Sequence, residues 1–426
     1  MKPPLKDVLK GESRIIGVVM PVLAFLLGLN LPRSFSILAL ICAVGLILFR
    51  SDLKCLAHDQ VARLSMLLLV LFGLSYSVRQ LQLEVWVLNR KTIADAATYT
   101  LLPSACFALG WLWRQRRRAF QSGLVLLVGF ALGGLVYVSL GLLISRQPWW
   151  NLSEIFPLSI TVPWGDNGMA GQNVRSVEQR AYAALAFLPV VPWLILSKPA
   201  SWQVKVLGCL GLGSWGVYVI WSLHSPKLMA FVLFIALLPC LLVLHGVRAR
   251  LITLSSLALI IAWLVHTKRL CDERLPMHLA FLRQIQDHPW GGRQIRFSFE
   301  GCPGQGLMVF APPPNSPHLP HNIFLDQVND VGILPAVLLL AACSLLYVTL
   351  MRGFLLAMQT GTWSPALALR WGVLSCILTQ SLFQPFLYSD RLLFCLTFVF
   401  TGSVVAEFAV DPDHRSRQSL VSDSHS

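Results

Sequence analysis

Uninterrupted apolar runs recur along this chain, and they limit what it can fold into more than any other feature does. "MLLLVLFGL" from Met66 and "LPAVLLLAACSLL" from Leu334 are two of them. Crossing roughly 30 Å of hydrocarbon takes about 20 apolar residues in a helix. Windows approaching that length fall near 15–31, 35–49, 64–78, 97–113, 122–144, 180–197, 204–222, 228–246, 251–266, 331–350, 366–386 and 392–409. The runs are continuous and do not alternate, which favours helices over a barrel. Of the 426 residues, 55% are hydrophobic and 13% charged, against about 25% charged in a soluble domain. The expected class is therefore an all-α polytopic membrane protein with about twelve transmembrane helices.

Lys and Arg in short loops give the expected orientation. "MKPPLKDVLKGESR", "RSDLKCLAHDQVAR", "RQRRR" (Arg114 to Arg118) and "VRAR" (Val247 to Arg250) fall on one side, read as cytoplasmic, with both termini. The first apolar run lacks a small-x-small cleavage site and reads as a retained span. The other side carries polar segments near 79–96, 145–179 and 267–330. The expected organisation is helices with short loops over 1–266, a large periplasmic loop over 267–330, helices over 331–409 and a polar tail over 410–426. The expected location is a bacterial inner membrane, with membrane lipids as partners. The net charge of +14 suggests nucleic acid in a soluble protein. Here the basic loops account for part of it, and no nucleic-acid partner is expected.

The 267–330 loop holds Lys268, Arg269, Arg274, Arg283, Arg293 and Arg296. Long loops translocate regardless of charge, but the cluster also suits an anionic substrate. Cys271 and Cys302 lie in the same loop, where an oxidising compartment permits a disulfide. A zinc site from these two with His318 and His321 fits no usual spacing, so no metal is expected. No P-loop, dinucleotide fingerprint or nucleophile elbow occurs.

"PHLPHNIFLDQVNDVG" places His318, His321, Asn322, Asp326 and Asp330 just ahead of a long apolar run. Asn322 suits a helix cap, and the two carboxylates suit a positive helix N-terminus. His321 suits a general base, because an imidazole titrates near neutral pH. "HSPKLMAFVLF" sets Lys227 at the mouth of another run, and "CDERLPMHLAFLRQIQDHPWGG" reads as an amphipathic segment closed by a Pro-Gly-Gly turn. In "IFPLSITVPWGDNGMAGQNVRSVEQRAYAAL", Arg175 and Arg180 accompany Trp164 and several amides, a mixture that suits sugar binding or an interfacial aromatic belt.

This order of elements over about residues 170–345 resembles the O-antigen ligase superfamily of bacterial membrane glycosyltransferases. That family has a Ser-Arg-Gly-like element, an Arg-led helix running into "hPl.G.G", and "HN.fL.....G" opening a span. Lys227 stands where the family has Arg, and "HPWGGRQI" keeps the turn without the second-glycine spacing. Lys binds phosphate as a point charge and not as a fork. The resemblance implies a bundle like those of lipid-linked (GT-C-like) glycosyltransferases, and an inverting, metal-independent enzyme with no cofactor. It implies an undecaprenyl-diphosphate-linked glycan donor at the periplasmic face. The acceptor would be the lipid A core, or a growing polysaccharide or a protein in other branches. His321 would be the base; Arg274, Lys227, Arg175 and Arg180 would meet the diphosphate; His318, Asn322 and Asp326 would support base or sugar. A polysaccharide transporter or flippase is the rival class, though it would want ionisable groups at mid-membrane. An assembly partner without activity is a third reading.

Overall fold

The computed structural model describes residues 22–29, 34–48, 53–83, 98–114, 129–130, 132–137, 139–140, 159–160, 172–173, 202–203, 206, 255, 258, 274–292, 297–301, 306–310, 320, 322–359, 365–383 and 391–408. Among these, helices α1 (Ser34–Leu48), α2 (Leu53–His58), α3 (Gln60–Leu83) and α4 (Leu102–Arg114) precede two short strands, β1 (Ser159–Ile160) and β2 (Gln172–Asn173). Helix α5 (Arg274–Asp287) leads to a hairpin of β3 (Phe297–Glu300) and β4 (Leu307–Phe310). Helices α6 (Ile323–Asp330), α7 (Ile333–Gln359), α8 (Pro365–Phe383) and α9 (Arg391–Phe408) follow.

The core forms where helices share small or apolar stripes. In α3, Ala62, Ser65, Leu69, Phe72, Gly73, Tyr76 and Gln80 are buried. Their spacing of three and four places them on one face, against α4 and α7. Phe72, Tyr76, Tyr99, Phe394 and Phe398 interlock, with Tyr99 and Phe394 at 5.5 Å and Phe394 and Phe398 at 5.1 Å between centroids, both edge to face, a favourable aromatic arrangement. Helices α4 and α9 make the most extensive pairing. Their backbones touch because Gly110 faces Val399 and Gly402 faces Phe107 and Trp111.

Asp59 joins α3 to α4. Its Oδ1 accepts from the Val61 and Ala62 amides at 3.0 and 3.2 Å, capping α3, and its Oδ2 accepts from the Trp111 indole N–H at 2.9 Å. Asp59→Ala removes the cap and leaves the largely buried indole without this acceptor. It is expected to cost about 2–3 kcal/mol, read as a lowered unfolding midpoint, whereas Asp59→Asn is expected to retain most of the stability.

The twelve-span reading is overturned. Among the described residues, two helices are long and apolar enough to cross a membrane: Gln60–Leu83 and Ile333–Gly353. The 15 residues of α1 and 13 of α4 extend only about 22 and 20 Å at ~1.5 Å per residue. In α8 and α9 the apolar stretches shrink to Trp371–Leu382 and Leu392–Ala406. Every side chain from 392 to 406 is buried against protein, so the apolar character of that run serves the core. With the span count go the multi-pass inner-membrane topology and the glycan ligation at a periplasmic face that was drawn from it. The windows at 15–31, 122–144, 180–197, 204–222, 228–246 and 251–266 fall wholly or partly outside the described residues. The two antiparallel strand pairs, β1–β2 and β3–β4, also depart from an all-α chain.

The segment ahead of α6 has its own small core. Met277 and Phe281 from α5, Phe297 and Phe299 from β3, Val328 from α6 and Ala336 from α7 pack together. Phe281 meets Phe297 edge to face at 5.3 Å. This cluster fastens α5 and the hairpin to the start of α7.

Candidate functional site

The candidate site is the junction where α5, the "HPWGG" turn, α6 and the end of α3 meet. It is built from backbone hydrogen bonds first. Helix α6 begins at Asn322, whose extended backbone (φ −141°, ψ 125°) places Oδ1 to accept from the Phe324 and Leu325 amides at 3.0 and 3.3 Å. The same side chain donates through Nδ2 to the Leu382 carbonyl in the last turn of α8, at 3.1 Å. Asn322 is thus both cap and tether. Two residues earlier, the Pro320 carbonyl lies 2.7 Å from His278 Nε2 on α5. A carbonyl only accepts, so Nε2 carries the proton there.

At its other end α6 closes on a glycine. The Val331 and Gly332 amides both donate to the Gln327 carbonyl, at 2.9 and 3.1 Å. Gly332 has φ +114°, a conformation side-chain-bearing residues rarely adopt, and a Cβ there would strike the Trp290 carbonyl. The "HPWGG" turn lies along this closure. Gly291 donates to His288 at 2.8 Å, Gly292 to Val328 at 2.9 Å, and Ile333 to Trp290 at 3.3 Å. Two elements distant in sequence are therefore stitched into one unit.

Arg79, near the end of α3, completes the junction. Its Nε donates to the Val331 carbonyl at 3.0 Å and its Nη1 to Gln82 Oε1 at 2.8 Å. Its Nη2 lies beside Gly292.

Of the residues singled out in the sequence, Arg283, Asn322, Asp326 and Asp330 have described side chains. Asp326 lies in the first turn of α6, as expected for a carboxylate at a helix N-terminus, and is fully buried. Its amide donates to the Asn322 carbonyl at 2.7 Å. Arg274 is the first residue of α5, with its side chain outside the described residues. His318, His321, Lys227, Arg175 and Arg180 lie outside the described residues, as do Cys271 and Cys302 and hence the disulfide between them. Arg283 is on α5 and exposed. Neither His278 nor Arg79 was singled out as a site residue. A cation where an otherwise apolar helix meets a polar segment was the available signal for Arg79.

Beneath α6, an apolar cavity of about 30 Å³ is lined by Phe324, Leu346, Leu378, Phe394 and Phe398. The Ser381 and Thr397 hydroxyls in its wall donate back to their own helices, to Ile377 at 2.7 Å and Leu393 at 2.8 Å. The space admits about one water molecule and no sugar ring. Among the described residues no group of three or more His, Cys, Asp or Glu side chains could hold a metal ion.

Compared with known protein families and with curated proteins, the chain matches none.

Proposed function

We propose that the chain is a group-transfer enzyme acting on a phosphate-bearing donor, with the junction of α5, α6 and α7 as its working edge. One observation carries this reading: the residues on either side of His321 are each hydrogen-bonded to another element, Pro320 through its carbonyl and Asn322 through its side chain. Pro320 is held by His278 of α5, and Asn322 is held to the end of α8 while it caps α6. A general base must be placed within hydrogen-bond reach of the proton it takes. In the reaction, the acceptor hydroxyl gives its proton to His321 as its oxygen bonds to the transferred group. The bond from that group to the donor phosphate breaks, and its electron pair leaves with the phosphate. A cation near the leaving phosphate stabilises this developing charge.

The test uses the full chain in neutral detergent with a polyprenyl-diphosphate-linked sugar, radiolabelled in the sugar. Release or transfer of label is expected from the wild type and is expected to be lost in His321→Ala, with the unfolding midpoint unchanged. No turnover by the wild type would sink the enzyme reading. Equal turnover by the variant would remove His321 as the base.

A further inference from the structure

We infer that Arg79 is a phosphate-binding residue, its guanidinium forming an anion seat between Gly292 and Gly332 at the end of α3. This deepens the proposed function and rests on it, since it names the cation that would meet the donor's phosphate.

Three observations point there. First, the guanidinium is half-buried and oriented: Nε is fixed to the Val331 carbonyl at 3.0 Å and Nη1 to Gln82 at 2.8 Å. Second, both partners are neutral, and among the described residues no carboxylate meets it. A partly desolvated cation without a counter-charge is costly, and an anionic ligand relieves that cost. Third, two buried glycines border it. A Cβ on Gly332 would sit 3.3 Å from Arg79 Nε, and one on Gly292 would sit 3.9 Å from Nη2. The two glycines add no side chain of their own beside the guanidinium, and among the described residues Nη2 makes no hydrogen bond, which leaves its donors for phosphate oxygens. An arginine presents such donors as a planar fork. A substrate diphosphate and the phosphate of a lipid headgroup share this chemistry.

The experiment is calorimetric titration of the full chain with inorganic pyrophosphate, in neutral detergent and in nanodiscs of phosphatidylcholine with or without phosphatidylglycerol. Wild type is expected to bind, and Arg79→Ala to bind about 10–100-fold more weakly, as a lost charge-assisted pair implies. Arg79→Lys, which keeps the charge without the fork, is expected to fall between them, and it decides the matter if the alanine variant does not fold. Competition by phosphatidylglycerol in wild type but not in the variants would support the seat with a headgroup as its occupant. Absence of competition would support it with a diphosphate substrate. A purely structural role would lower the unfolding midpoint of both variants with pyrophosphate affinity unchanged. That outcome overturns the assignment of Arg79 while leaving the donor reading intact. No pyrophosphate binding by the wild type would overturn both.

Discussion

Gly402→Val is expected to destabilise the protein by about 4 kcal/mol or more, which is at the severe end for a single substitution. Gly402 lies where α9 crosses α4, and any Cβ placed on it meets the Phe107 carbonyl, with the Trp111 amide 3.0 Å away. Those atoms are helical backbone and cannot rotate aside, so the two helices would have to separate. Separation is costly because α4 and α9 hold the centre of the core: Cys106, Phe107, Leu112, Cys395 and Phe400 are all fully buried. The measurement is a denaturation midpoint in neutral detergent, with Gly402→Ala as the graded control and a smaller loss expected. If neither variant lowered the midpoint, the backbone contact between α4 and α9 would be refuted.

Gly332→Ala is the second large effect, expected at about 3 kcal/mol. Two costs act together here. The residue has φ +114°, and the new methyl group would collide with the Trp290 carbonyl. That carbonyl accepts from Ile333, and the neighbouring Val331 carbonyl accepts from Arg79. The turn, the close of α6 and the arginine should therefore loosen together. Hydrogen exchange at the Gly292 and Ile333 amides is expected to accelerate relative to amides in α9. Unchanged exchange at both would show that the three parts are held separately.

The sequence exposes where helices lie more readily than what surrounds them. An apolar run looks alike whether lipid or protein covers it. In α3 one stripe is buried while Leu67, Leu74 and Val78 on the other face are about half exposed, so its outward side is apolar as well. In α9 the same kind of run is buried throughout. Only the packed structure separates the two cases, and counting runs therefore overcounted spans. Asn322 could be read locally as a cap, because the residue type and the apolar positions after it suffice. Its second bond, to Leu382, spans 60 residues and leaves no local trace. Arg79 was obscured for the same reason: its partner Val331 is 252 residues away. The hairpin of β3 and β4 hid within a Pro- and Gly-rich stretch whose turn chemistry outweighed the short alternation of "FSFE".

The double duty of Asn322 carries a mechanical consequence. A single carboxamide plane connects the first turn of α6 with the last turn of α8, so neither helix end can swing without twisting the other. A displacement of the end of α8 therefore reaches the cap of α6 directly. The cap of one helix and the end of another, 60 residues apart, are thereby coupled through a single side chain.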